Sequence, residues 1–166
     1  MVGMTDTTFE PDTIATRGMI VTMLYRLEGE PAVSEGAEIK FTDLEEDEWY
    51  TDAVIWAAQN EILFGYTDGT CRPDERITRE QMACFLYRYA DMKDSVPAGD
   101  HDITLAFPAD GDTVSEWAVA AMSWATGTEL IKGYGDGVLA PQDFAKRSQV
   151  AAVFQRLITG PLVAED

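Results

Sequence analysis

Residues 49–79 read WYTDAVIWAAQNEILFGYTDGTCRPDERITR, and residues 117–147 read WAVAAMSWATGTELIKGYGDGVLAPQDFAKR. The two stretches share the pattern W-x6-W-A-x7-GY-x-DG-x3-P-x5-R without a gap, at a constant offset of 68 residues (49 to 117). Repetition at a period longer than a helical hairpin indicates that one small structural unit was duplicated. The fold and any binding site should therefore be quasi-symmetric.

A third copy precedes these two, but it is expected to contain only the second half of the pattern. Its matches to the middle copy share one offset of 62 residues (17 to 79): Pro11-Asp12 with Pro73-Asp74, Thr16-Arg17 with Thr78-Arg79, and Leu24-Tyr25-Arg26 with Leu86-Tyr87-Arg88. Few residues precede Phe9, so we interpret the tryptophan and Gly-Tyr half as absent. The sequence predicts a partial unit at residues 1–30 and whole units at 41–92 and 107–160, all in one compact domain.

The composition indicates an acidic globular domain and excludes several classes of function. Hydrophobic residues make up 46% of the 166 residues, and no long uncharged apolar run could span a membrane. The net charge of −18 argues against nucleic acid, which needs a basic surface, and against anionic membranes. The first residues lack the basic start and apolar stretch of a secretory signal, and the start within a repeat suggests a fragment.

Each whole unit is predicted to contain two helices joined by a tight turn. Trp49, Ala53, Trp56 and Ala57 share one face of a first helix that runs from about Trp49 to Gln59. The Asp-Gly dipeptides at 68–69 and 136–137 are typical of tight turns with short extended arms.

The second helix of each unit begins at a capping position, Thr78, with Gln81 completing a capping box. An apolar stripe follows in all three copies: Ile20, Met23, Leu24 and Leu27; Met82, Phe85, Leu86 and Tyr89; Val150, Val153, Phe154 and Leu157. Three such helices can bury their stripes against one another, so we predict a mainly α fold around a central three-helix bundle. Segments 28–40 and 91–106 are interpreted as linkers.

These motifs resemble those of the S-layer homology (SLH) domain family. The family pattern runs from Phe-x-Asp through a helix with Trp and Ala to Gly-Tyr-x-Asp-Gly-Thr-Phe-x-Pro, and then Ile-Thr-Arg-Ala-Glu opens a second helix. Here Phe41-Thr42-Asp43 and Phe107-Pro108-Ala109-Asp110 begin the whole units, and Ile77-Thr78-Arg79-Glu80 matches the helix-opening motif. The resemblance covers Thr8 to about Ile158.

The resemblance implies a pseudo-threefold spindle of three tandem units and a role outside the cell. SLH domains hold exported proteins on the cell wall without a covalent bond, by binding an acidic secondary cell-wall polysaccharide that often carries pyruvate ketals. The grooves between neighbouring units are the family's binding sites. Lys146 and Gly18 depart from the helix-opening motif, Cys71 and Leu139 replace an aromatic residue, and the truncated first unit should leave one groove incomplete.

Arg79, Arg147 and Arg17 are the leading candidates for glycan contact, with Arg17 ranked last. An arginine at a helix start opposes the macrodipole, so its presence in three copies suggests a function; a solvated surface residue or a structural salt bridge is the alternative interpretation. A guanidinium beside free helix-start amides would receive the carboxylate of a pyruvate ketal. Ionic screening over about 8 Å would let a local arginine outweigh the overall negative charge.

The remaining candidates combine structural and binding interpretations. Packing in the core or between units is the leading interpretation of all four tryptophans, Trp49, Trp56, Trp117 and Trp124. Of these, Trp49 and Trp117 lie at helix starts and are the better candidates for stacking on sugars. Further glycan-site candidates are the unit-start acids, Asp43 and Asp110, and the turn residues, Gly65, Gly133, Tyr66 and Tyr134. The alternative role of the two acids is to cap a helix or to orient an arginine.

The sequence suggests no metal, cofactor or catalytic set. An EF-hand would need carboxylates where Phe64 and Tyr66 stand, and His101 has no nucleophile or base as a partner in the sequence. Cys84 aligns with Thr22 and Ala152 and is interpreted as a small buried thiol, with a Cys71–Cys84 disulfide as the alternative.

Two functions therefore stay open, and a third, an enzyme, is rejected. The first is a cell-wall anchor whose inter-unit grooves bind an acidic glycan. The second is an assembly module on the same scaffold, in which a protein partner or a second copy covers the flank left by the missing helix.

Overall fold

The computed structural model describes residues 10–33, 41–96 and 102–160. Within these ranges the chain forms six α-helices and two short 3-10 turns, Gly111–Thr113 and Glu116–Ala118. The helices are α1 (Arg17–Leu27), α2 (Thr51–Gln59), α3 (Arg79–Met92), α4 (Ile103–Ala106), α5 (Val119–Gly127) and α6 (Arg147–Thr159). Extended pairing in the described ranges is limited to isolated bridges such as Thr16 with Arg76 and Thr78 with Phe144. The prediction of a mainly α fold is confirmed.

The long helices begin where their capping residues dictate. The Thr78 hydroxyl accepts from the backbone N–H of Gln81, and the Gln81 amide oxygen accepts from the backbone N–H of Thr78, so the predicted capping box is confirmed. The Thr16 hydroxyl accepts from the Met19 N–H in the same way. At α6 the Lys146 ammonium cannot accept a hydrogen bond, so only the reciprocal half of the capping box remains, in which the Lys146 N–H donates to Gln149 Oε1.

Two predicted boundaries differ from the structure. Helix α2 begins at Thr51 rather than at Trp49, because the residues before it form turns. Helix α4 lies inside a segment that was predicted to be a linker. Asp102 starts this helix by accepting from the backbone N–H groups of Thr104 and Leu105, which is a local signal that apolar periodicity does not register.

The core combines the three long helices with the two first helices that lie between them. Of the predicted stripes, Ile20, Leu24, Met82, Leu86, Val150 and Leu157 are fully buried. Helix α2 packs against α1, and α5 packs against α3 in the corresponding way. Met23 is only partly buried, and Leu27 departs furthest from the predicted stripe, since 42% of it is exposed at the C-terminal end of α1.

A closed ring of backbone hydrogen bonds joins the three units. The N–H of Ala15 donates to the carbonyl of Ala145 at 2.9 Å, the N–H of Ala145 donates to Ile77 at 2.9 Å, and the N–H of Ile77 returns to Ala15 at 3.0 Å. These residues occupy the same position of the repeat, one before each capping residue. The ring relates the units cyclically, which supports the predicted threefold arrangement; the spindle description and the unit boundaries stay predictions.

Candidate functional site

The backbone amides at the start of each long helix are already occupied. The N–H of Arg17 donates to Glu75 and the N–H of Gly18 to Pro73, both in the second unit. The equivalent bonds are Arg79 to Asp143, Glu80 to Pro141, Arg147 to Thr13 and Ser148 to Pro11. The expectation of free helix-start amides beside the arginines is therefore wrong, because each helix start is capped by carbonyls of the next unit.

The repeated arginines are buried, and Arg17 and Arg79 join neighbouring units by hydrogen bonds. Arg17 is 4% exposed, and it donates from Nε to the carbonyl of Cys71 at 2.9 Å and from Nη2 to that of Phe64 at 3.4 Å. Arg79 repeats the geometry with the carbonyls of Leu139 at 3.1 Å and Lys132 at 2.7 Å. Burial lowers the pKa of both guanidiniums. Both stay cationic, because an arginine side chain is not deprotonated in proteins.

Arg147 is equally buried and belongs to the same series. Its Nη1 lies 3.7 Å from the sulfur of Met19 in the first unit. The repeat offsets equate the acceptors of Arg17 and Arg79 with Phe9 and Val2, which lie outside the described residues. The three arginines thus share one position. The structure gives Arg17 and Arg79 the structural role that the sequence left open as the alternative, with backbone carbonyls rather than a salt bridge as partners.

Asp43 and Asp110 hold the turns of their own units. The Asp43 carboxylate accepts from the backbone N–H groups of Cys71 at 2.8 Å and Arg72 at 2.7 Å. Asp110 receives those of Leu139 and Ala140 at 2.7 and 2.6 Å. Partial burial raises the pKa of Asp43, but these backbone hydrogen bonds and one from the Cys71 thiol outweigh it, so its pKa lies below the ordinary value.

The second amide that donates to the carboxylate in each turn belongs to a residue in the left-handed conformation. Arg72 and Ala140 have φ of 50° and 53°, and Glu10 has φ of 48° at the equivalent position of the first unit. With Glu10 fixed in register, Gly3-Met4-Thr5-Asp6 aligns with Gly65-Tyr66-Thr67-Asp68. Residues 1–9 lie outside the described ranges, so the extent of the partial first unit stays a prediction.

Gly65 and Gly133 are required by packing inside the unit. A Cβ atom at Gly65 would overlap the ring of Phe41 and the carbonyl of Thr70, and one at Gly133 would overlap the ring of Phe107 and the carbonyl of Val138. The Phe and Gly-Tyr motifs of one unit are thus parts of a single contact. Only glycine lets the aromatic ring of the unit start lie against the turn backbone.

The four tryptophans divide between the core and the surface. Trp56 and Trp124 are each 7% exposed, whereas Trp49 is 52% and Trp117 is 58% exposed. Trp56 contacts Tyr25 and Tyr89, with ring centroids 5.7 and 6.5 Å apart. The interpretation as packing residues is therefore confirmed for Trp56 and Trp124 and is wrong for Trp49 and Trp117, which are the better candidates for sugar stacking.

Arg17, Tyr66, Gly65 and Trp117 line one groove of about 250 Å³ to which all three units contribute. Its remaining walls are Phe64, Gln81, Cys84, Phe85 and Arg88. Arg17 lies over the rings of Tyr66 and Phe85, at 4.9 and 5.1 Å from their centroids, and Arg88 lies 4.5 Å from that of Phe64. The groove thus combines an exposed indole with two cations on an aromatic base, in a chain of strongly negative charge.

Of the other predicted site residues, Tyr134 and Gly133 lie beside Arg79 rather than in this groove. Arg79 is 4.8 Å from the centroid of the Tyr134 ring, which repeats the contact of Arg17 with Tyr66. By repeat equivalence, Trp49 corresponds to Trp117 and Arg147 corresponds to Arg17. Sequence reasoning missed Arg88, although its recurrence as Arg26 and Arg156 was a usable signal.

Both cysteines are free, buried thiols, so the interpretation of Cys84 as a buried thiol is confirmed and a disulfide is not formed. Burial raises the pKa of Cys71 to about 12 and that of Cys84 to about 11. No group of His, Cys, Asp and Glu within the described ranges is arranged to hold a metal ion. His101 lies outside those ranges. None of the helices in the described ranges has the length and apolar character needed to cross a membrane.

Comparison with known proteins places these motifs in one family. The sequence profile of the S-layer homology domain matches residues 40–83 and 109–151, which together exceed half of the chain. The chain is 30% identical to Cell surface glycoprotein 1 of Acetivibrio thermocellus over 165 residues, covering 96% of this chain and 7% of the relative. It is 29% identical to the Cellulosome-anchoring protein of the same organism over 157 residues, covering 93% and 34%.

A surface protein from another organism gives the same result. The chain is 29% identical over 124 residues to the Surface-layer 125 kDa protein of Lysinibacillus sphaericus, covering 73% of this chain and 10% of the relative. The chain therefore spans between 7% and 34% of the length of these three relatives.

Proposed function

Because the chain belongs to the S-layer homology domain family, a family of non-catalytic cell-wall anchoring modules, we propose that it binds an acidic secondary cell-wall polysaccharide in its inter-unit grooves. The names of its relatives, a cellulosome-anchoring protein and two surface proteins, support a place at the cell wall or cell surface. In this proposal the module holds its protein on the wall from outside the cell and carries out no reaction.

The observation that carries the proposal is the groove beneath Trp117. An exposed indole offers an apolar face on which a sugar ring can stack, and its position at a junction of three units gives it neighbours that a lone surface tryptophan lacks. Arg17 and Arg88 supply positive charge to the same groove. A pyruvate ketal joins a carboxylate to a sugar ring. The sugar ring would stack on the indole of the groove, and the carboxylate would bind its cationic side chains.

The structure changes which arginine we assign to the described groove. Arg17, ranked last on sequence, lines the groove with Trp117, whereas Arg79 lies against Tyr134. The Nε and Nη2 donors of Arg17 are used by carbonyls, but a guanidinium carries further N–H groups. We assign one of these to the glycan carboxylate. By equivalence, Arg147 and Trp49 would form a second groove, and Asp43, Asp110, Gly65 and Gly133 would act through the shape of the turns.

The test is binding to isolated secondary cell-wall polysaccharide, before and after removal of its pyruvate ketals by mild acid. We expect Trp117→Ala to weaken binding at least about ten-fold and the double variant with Trp49→Ala to abolish it, because each removes one stacking platform. Val119→Ala is the matched control, since Val119 is exposed, lies on α5 near Trp117 and does not line the groove.

Two results would contradict the proposal. Equal binding of the double variant and the unaltered chain would show that the inter-unit grooves do not bind the polysaccharide. Equal binding to the depyruvylated polysaccharide would remove the ketal carboxylate as the recognised group.

A further inference from the structure

A second groove, of about 340 Å³, lies between α1 and α6 and is mostly apolar. It is lined by Met23, Arg26, Leu27, Ala151, Phe154, Gln155 and Ile158. Leu27 and Ile158, on its two sides, are 42% and 50% exposed. Helices α1 and α6 are not among the closely packed helix pairs of the described chain, whereas α1 packs against α2 and α3 against α5.

The repeat shows what fills the equivalent grooves. Trp56 of α2 lies between Tyr25 of α1 and Tyr89 of α3, and Trp124 of α5 lies against Tyr87 of α3 at 5.7 Å between centroids. Moving Tyr87 forward by the offset of 68 gives Gln155, and moving Tyr89 back by the offset of 62 gives Leu27. Both of these residues line the groove between α1 and α6. The groove is therefore the third site of the kind that holds a tryptophan of a first helix.

A repeated arginine also indicates that the α1–α6 groove is equivalent to the two grooves that hold a first helix. This indication does not depend on the apolar residues of the groove. Arg88 donates from Nη1 to the carbonyl of Ile62 at 3.3 Å, and Arg156 donates to that of Leu130 at 2.9 Å. Each acceptor lies just after a first helix, α2 or α5. Arg26 is the third member of this series and lines the α1–α6 groove, where it pairs with the half-exposed Glu30 at 3.4 Å. An exposed ion pair of this kind contributes little and yields readily to a better partner.

We infer that the α1–α6 groove is a docking site for one amphipathic helix of the α2 and α5 type, supplied by a polypeptide segment other than the six described helices. The tryptophan of this helix lies between Gln155 and Leu27, its alanine face packs on Phe154 and Met23, and a carbonyl beyond its C-terminal end accepts from Arg26. The inference is independent of glycan binding, because it concerns different residues from those of the Trp117 groove.

The test uses a peptide copied from the chain itself. A peptide of residues 113–132 contains the α5 helix and carries only Glu116, Glu129 and Lys132 as charged side chains, so the charge of −18 on the protein repels it little. The same peptide with Trp124→Ala is the control. Binding is followed by the amide chemical shifts of the isotope-labelled 166-residue chain, which also locate the bound peptide.

We expect the shifts to move along α1 and α6, with the Trp124→Ala peptide binding at least about ten-fold more weakly. Leu27→Glu and Ile158→Glu in the protein should weaken binding similarly, since each places a charge on the apolar wall. Both side chains are about half exposed, so both variants should fold. Leu105→Glu is the control for an apolar-to-acidic change at an exposed position outside the groove, and it should bind normally.

Three outcomes would overturn the inference: no binding at millimolar peptide, shifts confined to other surfaces, or equal affinity of the two peptides. Light scattering measures in addition whether the chain forms a dimer. A dimer of the unaltered chain that Leu27→Glu dissociates would assign the groove to a second copy instead of a helix.

Discussion

Arg17 and Cys71 lie in different units, yet the guanidinium of one donates to the backbone carbonyl of the other at 2.9 Å. Arg79 and Leu139 repeat the bond at 3.1 Å between the next two units. An arginine that resembles a surface cation in the sequence therefore joins two units by a buried hydrogen bond. Its effect on stability should be separable from any effect on binding.

Replacing Arg17 by lysine should destabilise the fold by about 2–4 kcal/mol, because an ammonium cannot reproduce the planar fork and leaves a buried carbonyl without its partner. The measurement is urea unfolding followed by tryptophan fluorescence. Arg76→Ala, at an exposed arginine near the same junction, should change the free energy of unfolding by less than about 0.5 kcal/mol. Equal changes in the free energy of unfolding for the two variants would contradict the role of Arg17 in joining the units.

Gly65→Ala should destabilise the chain by about 2–3 kcal/mol, because the added Cβ overlaps the Phe41 ring and the Thr70 carbonyl. Gly29→Ala separates crowding from backbone strain. Gly29 has φ of 77° with open space around its Cβ position, so only strain of about 1 kcal/mol is expected there. Thermal unfolding of both variants makes the comparison, and a smaller loss at Gly65 than at Gly29 would rule out the contact.

Substitution of Trp124 and of Trp117 should lower the free energy of unfolding by very different amounts. Trp124→Ala removes a buried ring that packs on Tyr87 and should lower the free energy of unfolding by about 3–5 kcal/mol. Trp117→Ala removes an exposed ring and should lower it by less than about 1 kcal/mol. Chemical denaturation of the two variants decides this, and similar losses would mean that Trp117 is also a packing residue.

Acid should weaken the fold partly through Asp43. Because its folded pKa lies below the ordinary 3.8, its contribution to stability is complete above that value and disappears as the pH falls through the lower folded pKa. Asp43→Asn should therefore be less stable than the unaltered chain at pH 7, with the difference shrinking below about pH 4. Urea midpoints between pH 7 and pH 3 test this, and a difference that stays constant would contradict it.

The cysteines should be protected from alkylation while the chain is folded. Burial raises the pKa of Cys71 to about 12 and that of Cys84 to about 11, so both remain protonated at pH 8. Mass spectrometry should find little iodoacetamide adduct under native conditions and two adducts per chain in urea. Rapid labelling of native Cys84, the thiol that borders the Trp117 groove, would show that the groove opens more than the structure indicates.

What the sequence predicted well is local. The capping box of Thr78 and Gln81, the burial of Trp56 and Trp124 and the apolar stripes follow from residues a few positions apart, whose geometry is set by the helix itself. The half-exposed Leu27 breaks the pattern because its burial depends on a neighbouring helix rather than on its own.

What the sequence did not predict depends on partners far along the chain. The Arg17 N–H donates to the Glu75 carbonyl, the Arg17 guanidinium donates to the Cys71 carbonyl, and the Arg72 N–H donates to the Asp43 carboxylate. Each of these hydrogen bonds has at least one backbone partner. A backbone carbonyl or amide has no sequence signature, so repeat equivalence could indicate that these residues have a role without showing which. The left-handed residues Arg72 and Ala140 were hidden for the same reason.

The ring formed by Ala15, Ile77 and Ala145 changes how the repeats can come apart. In an open stack of repeats the outermost unit can fray while the others stay folded. A closed ring has no outermost unit, since each unit is a neighbour of both others. Loss of one unit would deprive the other two of backbone partners, and the most protected amides of all three should therefore exchange with solvent in one cooperative opening.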